Sequence, residues 1–251
     1  MKSDIIILGG DSWGAGIFDK QSSHGFYYGG ITKCIIDHGM QVRNLCQPGG
    51  SNLSVCERIK NYLICNEHEI EKIKGIVFWQ IEFFKDYYYY PQTQLKSELK
   101  KGYSTLRDQW IYRLYHQLNE YSIQWNIPIY VIGGSSDTVW YDNFEQDFPG
   151  VKIVCQSVTN YLINGSHTIS IPVYGEFITG MCEQFLTATK NKINSTDLEC
   201  LLKDIDLGHG RLRQLTAHPE LFFPDGIHPN QHAHNLIFKL LQKHIPELQT
   251  P

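Results

Sequence analysis

The first half of the chain alternates short apolar runs with amphipathic stretches. Asp4–Leu8 is β-branched, uninterrupted and closed by Gly9-Gly10, the pattern of a strand buried on both faces. Gly25–His38 carries spaced apolar residues and stops at Gly39, which predicts a helix. Gln41–Cys46 reads as a second strand, and Ser51–Asn66 as a helix that Ser51 or Asn52 can cap. Ile76–Ile81 follows as a third strand, entered from Gly75. Ser104–Trp125 is a long helix with apolar positions Leu106, Trp110, Leu114 and Leu118. Ile127–Ile132 is a fourth strand, ended by Gly133-Gly134.

This β-α-β-α-β-α-β order predicts an α/β fold: a three-layer α/β/α sandwich around a central, mostly parallel sheet. In such sheets ligands sit at the carboxyl ends of the strands, so the segments after Leu8, Cys46, Ile81 and Ile132 are the places to look for chemistry. The second half is less regular. Val151–Cys155 is a candidate fifth strand, Thr179–Lys190 and Thr196–Leu207 are candidate helices, and Gln231–His244 is an amphipathic helix suited to close the domain. Lys85–Tyr103, with its run of four tyrosines, and Thr159–Gly180 read as insertions. No repeat or linker divides residues 1–251, which predicts a single domain.

Composition narrows the function classes. Of 251 residues, 42% are hydrophobic and 19% charged, a globular profile. A net charge of −4 speaks against a nucleic-acid binder, which would carry a basic excess. The seven cysteines form no C-x-x-C pair, and their odd number fits free thiols in a reducing compartment. No signal peptide and no window of membrane-spanning length is present, so the expected location is the cytoplasm, without a membrane partner.

Three stretches carry candidate chemistry. Gly10-Asp11-Ser12 follows the first strand, where a strand-to-helix turn exposes a hydroxyl and points the Ser12 N–H into the same space; Gly9, Gly10, Gly14 and Gly16 permit the tight backbone. Asp225-Gly226-Ile227-His228 precedes the last helix, and a carboxylate there can accept from His Nδ1–H, leaving Nε2 as a base. Asn44 through Asn52 contains Pro48-Gly49-Gly50, whose unobstructed N–H groups suit an oxyanion. Each is also an ordinary turn: Asp and Ser favour turns, Asp-Gly and His-Pro are common loop pairs, and Pro-Gly-Gly-Ser caps a helix whatever its function. Their combination, in the order Ser, Gly, Asp-x-x-His, carries more weight than any one of them.

Together the three resemble the blocks of the SGNH/GDSL hydrolases. "ILGGDSWGAG" is similar to the block around that family's nucleophilic serine, "NLCQPGGSN" to the block whose glycine donates to the oxyanion hole, and "FPDGIHPNQ" to the block with the catalytic acid and histidine. The resemblance implies a flavodoxin-like sandwich and a serine esterase that needs no metal or organic cofactor. In it Ser12 attacks an ester carbonyl, His228 moves the proton, Asp225 orients His228, and the N–H groups of Ser12 and Gly49 hold the oxyanion. The family's Gly-x-Asn-Asp block is missing. In "GIVFWQIEFFKD" Phe83 stands in the slot of the oxyanion-binding Asn and cannot donate; Gln80 is the candidate substitute, and Glu82, as a carboxylate, would oppose an oxyanion.

Rival readings are poorer matches. The first loop lacks G-x-G-x-x-G and a following Lys, and Asp11 would repel a phosphate. A metal site from Asp225, His228, His232 and His234 fails because His232 and His234, two apart at a helix start, diverge; both are expected at the surface or as caps. The remaining alternative is a weak or inactive relative that binds a glycan or acyl ligand. Among substrates the Tyr-rich, polar insertions favour a small acyl group on a carbohydrate.

Overall fold

The computed structural model describes residues 4–16, 29–88, 103–134, 138, 143–165, 217–222 and 228–249. The elements run β1 (Ile5–Gly9), α1 (Ser12–Ala15), α2 (Gly30–Asp37), β2 (Gln41–Asn44), α3 (Asn52–Cys65), a 3-10 turn (Glu67–Lys72), β3 (Ile73–Gln80), α4 (Phe83–Tyr88), α5 (Tyr103–Trp125), β4 (Ile129–Gly133), α6 (Phe144–Asp147), β5 (Val151–Cys155), α7 (Val158–Asn164) and α8 (Gln231–His244). The expected helices at 179–190 and 196–207, and most of both insertions, lie outside the described residues.

The five strands form one parallel sheet in the order β2-β1-β3-β4-β5. Successive side chains of a strand face opposite ways, and here both faces are apolar. Ile6, Leu8, Val77, Trp79 and Ile132 pack under α2, α7 and α8. Ile5, Ile7, Ile76, Phe78 and Val131 pack under α3 and α5. Continuous apolar runs are what a sheet covered on both faces requires. After β1 the chain adds β2 on one side and then β3, β4 and β5 on the other, so the build direction reverses at β1/β3. Adjacent loops diverge at such a switch point and open a crevice at the carboxyl edge.

Boundaries shift where a side chain has a use the pattern alone does not reveal. β3 starts at Ile73, ahead of Gly75. Gly75 is no turn residue: a Cβ there would lie 2.9 Å from the Tyr130 ring on β4, so the glycine lets two strands meet over a tyrosine. β4 starts at Ile129 because Pro128 has no N–H for the ladder, though its carbonyl still accepts from Ile76 N–H at 3.0 Å. Ser51 caps α3 in a reciprocal capping box with Ser54.

One expectation is corrected. His234 is neither exposed nor a cap. It is buried against Trp79, with ring centroids 5.8 Å apart, and against Gly30, where a Cβ would come within 3.2 Å of the imidazole. His232, the second residue of α8, is exposed, whereas Ala233 and His234 fall on the buried face of the helix. Burial pulls the His234 pKa down to about 4, so the ring is neutral at pH 7.

Asp86 is buried on the other side of the sheet. Its Oδ1 accepts from Leu53 N–H at 2.9 Å and its Oδ2 from Asn52 Nδ2 at 2.7 Å, at the N-terminus of α3. Burial dominates over these hydrogen bonds and raises its pKa from 3.8 to about 6. The two groups oppose each other in acid. Asp86 binds its proton more tightly when folded, so its contribution is full below pH 4 and is lost as pH rises through 6. His234 resists protonation when folded, so its contribution is full above pH 6.5 and is lost as pH falls through 4. Each shift corresponds to about 3 kcal/mol. Asp86→Asn should therefore steepen the loss of stability between pH 6.5 and 4, and His234→Met should reverse its sign, in urea denaturation at a series of pH values. Curves parallel to wild type would contradict this assignment.

Candidate active site

β1 ends at Gly9, and within three residues the chain turns, caps itself and starts α1. Gly10 takes φ 154, a region that disfavours side chains, and a Cβ there would lie 2.6 Å from Trp79 Cβ. Asp11 is the N-cap of α1, its Oδ1 accepting from Trp13 N–H at 3.0 Å. Gly14 has Cys46 Sγ and Trp79 where a side chain would go, at 2.7 and 3.0 Å. Ser12 is therefore the partly exposed first residue of a helix pressed tightly against the sheet. As first residue it has no intrahelical acceptor for its N–H.

His228 arrives from the other end of the chain. A bridge between Phe222 and Pro229, with Asn230 N–H donating to the Leu221 carbonyl at 2.8 Å, fixes the base of its loop. Asn230 caps α8, its side chain accepting from Ala233 N–H. Gln231 then ties α8 to α2, its Oε1 accepting from Gly30 N–H at 2.7 Å. The result brings together two residues 216 positions apart: Ser12 Oγ and His228 Nε2 lie 2.9 Å from each other, both half-buried. That distance suits proton transfer between a hydroxyl and an imidazole. Asp225, three positions before His228, lies outside the described residues.

Gly49 sits exposed in the turn after β2, at φ 70, beside a Gly50 N–H that donates to the Gln47 carbonyl at 2.7 Å. This turn is fastened to the first loop. Gln47 N–H donates to the Gly10 carbonyl at 2.8 Å, and Asn44 bridges Cys46 N–H to the end of α1 at the Ala15 carbonyl.

Gln80 closes β3 on the α3/α5 face. It is buried, and its Oε1 accepts from the Tyr115 hydroxyl at 2.6 Å. Phe83, at the position where the resemblance expects an Asn, is buried edge-on against Trp110 with ring centroids 5.9 Å apart. Its apolar side chain completes a packed layer.

The segment after β3, which enters α4, carries a lysine that sequence patterns did not single out. Lys85 reaches Asp11 Oδ2 at 3.1 Å and Glu82 Oε2 at 2.8 Å; the three side chains are 8%, 2% and 2% exposed. Glu82, which would oppose an oxyanion if alone, is thus ion-paired. Burial works against the Lys85 ammonium, but Glu82 and Asp11 outweigh it and raise its pKa. Asn52 grips the same loop, donating to the Ile81 carbonyl and accepting from Ile81 N–H, both at 2.9 Å. The i, i+3 spacing of Glu82 and Lys85 was a visible hint of an ion pair; the contacts across 74 and 29 positions were not.

Among the described residues, no three His, Cys, Asp or Glu side chains cluster to hold a metal, and no helix is long and apolar enough to cross a membrane.

No protein-family model and no curated protein matches the chain. Among solved structures it is similar to the psychrotrophic esterase EstA from Pseudoalteromonas sp., at 11% identity over 98% of this chain and 99% of that one, with a TM-score of 0.42. It is similar to TesA, at 12% identity over 98% of each chain and a TM-score of 0.39. It is also similar to AlinE4, an SGNH-hydrolase family esterase, at 16% identity over 76% of this chain and 95% of that one, with a TM-score of 0.37.

The tight first turn makes a checkable demand. Gly10→Ala forces a side chain into both a disfavoured φ and the Trp79 Cβ. Backbone strain alone should cost about 1–3 kcal/mol, read as a lower urea midpoint. An unchanged midpoint would show that this turn is slacker than described.

Proposed function

We propose that the protein is a serine-dependent ester hydrolase of the SGNH/GDSL type. The observation that carries this reading is the 2.9 Å contact between Ser12 Oγ and His228 Nε2 at the switch point of a parallel sheet. A serine hydroxyl is a weak nucleophile unless a base takes its proton as it attacks. Here the base is within hydrogen-bond reach, and Asp225 is the residue we assign to orient it.

In the proposed reaction Ser12 Oγ bonds to the ester carbonyl carbon while its proton passes to His228 Nε2. The carbonyl oxygen becomes an oxyanion, held by the N–H groups of Ser12 and Gly49. His228 gives its proton to the leaving alcohol as the C–O bond breaks. A water then attacks the acyl-enzyme, with His228 again the base, and the acid leaves. Gln80, whose Oε1 accepts from the Tyr115 hydroxyl, is the substitute the sequence offers for the missing Asn donor. A pocket short of one donor costs about 3 kcal/mol of transition-state stabilisation, so the turnover expected is modest. None of these steps calls on a metal or organic cofactor. The substrate class we favour is a small acyl group on a carbohydrate, on the strength of the Tyr-rich, polar composition of the inserted segments 85–103 and 159–180.

The test is hydrolysis of p-nitrophenyl acetate by wild type, Ser12→Ala and His228→Ala. Each substitution should lower kcat by about 10³- to 10⁶-fold. Equal rates in wild type and Ser12→Ala would overturn the enzyme reading and leave a protein that binds a glycan or acyl ligand. Acetylated sugars and long-chain esters compared side by side test the substrate: turnover of the long-chain esters alone contradicts the carbohydrate assignment.

A further inference from the structure

We propose that Lys85 is a positioning residue for the nucleophile, acting through Asp11; this rests on the reading of Ser12 as nucleophile. The two oxygens of Asp11 do different work. Oδ1 accepts from Trp13 N–H, closing a ring of backbone around Ser12, and Oδ2 accepts from Lys85 Nζ at 3.1 Å. The direction of the Ser12 Oγ and N–H thus follows the Asp11 carboxylate, and Lys85 fixes that carboxylate to the loop after β3. The loop is itself held, since Asp86, next in sequence to Lys85, accepts from Leu53 N–H and Asn52 Nδ2 at the start of α3.

With the Gln47–Gly10 hydrogen bond, the segments that follow β1, β2 and β3, including the first turns of α3 and α4, are tied in all three pairings. The tie to β3 comes from charge, on a segment where the family resemblance expects an Asn side chain to face substrate. Lys85 is buried between two carboxylates, a costly arrangement for a group with no task. A misplacement of about 1 Å at a reacting atom costs about 10²-fold in rate, which sets the scale of the expected effect.

The experiment compares Lys85→Met, Glu82→Gln/Lys85→Met and Asp11→Asn with wild type and Ser12→Ala, reading kcat and KM on p-nitrophenyl acetate together with Tm. Lys85→Met should lose about 10²-fold in kcat with KM within about threefold of wild type. The double variant removes one charge of each sign; its Tm should recover toward wild type while kcat stays low. Asp11→Asn keeps the acceptor for Trp13 N–H but breaks the link to Lys85, and it supplies the same readout should Lys85→Met fail to fold. Recovery of kcat together with Tm in the double variant, or wild-type kcat in folded Lys85→Met or Asp11→Asn, overturns the proposal. Activity retained by Ser12→Ala instead overturns the nucleophile reading on which it stands.

Discussion

Everything proposed at the site depends on how the chain leaves β1. Between Gly9 and Ser12 it must turn off the sheet, present a hydroxyl at the sheet's carboxyl edge and enter a helix that lies almost on Trp79 and Cys46. The space leaves no room for a side chain at Gly10 or Gly14. A turn this cramped has few alternative conformations, so the serine is placed by backbone geometry and not by its own rotamer alone. The second half of the constellation then needs only a histidine delivered to a fixed point. The Phe222–Pro229 bridge and the capped start of α8 deliver it.

Loops at a sheet edge lack the regular ladders that hold strands, and their polar groups need partners of other kinds. Here the partners are one another. A backbone hydrogen bond joins the first loop to the second, an amide and a carboxylate join the second to the third, and an ion pair joins the third to the first. Lys85 between Asp11 and Glu82 puts three charges in an interior where desolvation is costly, and the arrangement is tolerable because each carboxylate meets the ammonium. Removing the ammonium leaves two buried carboxylates without it, so the segments are coupled energetically as well as geometrically. The packing of Phe83 against Trp110 adds an apolar floor where the family resemblance would have placed an oxyanion donor.

The layers of the fold were legible because a parallel sheet covered on both faces writes itself as continuous apolar runs, and β1, β3 and β4 carry such runs. The limits of the runs were less legible, for reasons at single residues: Gly75 serves the Tyr130 ring and Pro128 ends a ladder, and neither role shows in local pattern. Ser12, Gly49 and His228 stood out because their neighbours form recognisable turn chemistry, and the structure brings Ser12 and His228 together. Asn52 read only as a candidate helix cap, and Lys85 and Asp86 did not stand out. Next to a run of tyrosines Lys85 and Asp86 read as the start of an insertion, and their partners lie far off in sequence. His234 was misplaced because a histidine at a helix start suggests a cap, whereas its position on the inward face of α8 buries it.

The central claim is that His228 activates Ser12 for covalent attack. Peptide mapping by mass spectrometry after reaction with a fluorophosphonate tests it most directly, applied to folded wild type and folded His228→Ala under identical conditions. The account predicts a phosphonyl adduct on Ser12 in wild type and little or none in the variant. An adduct confined to another residue, or equal labelling of Ser12 in both proteins, would contradict it.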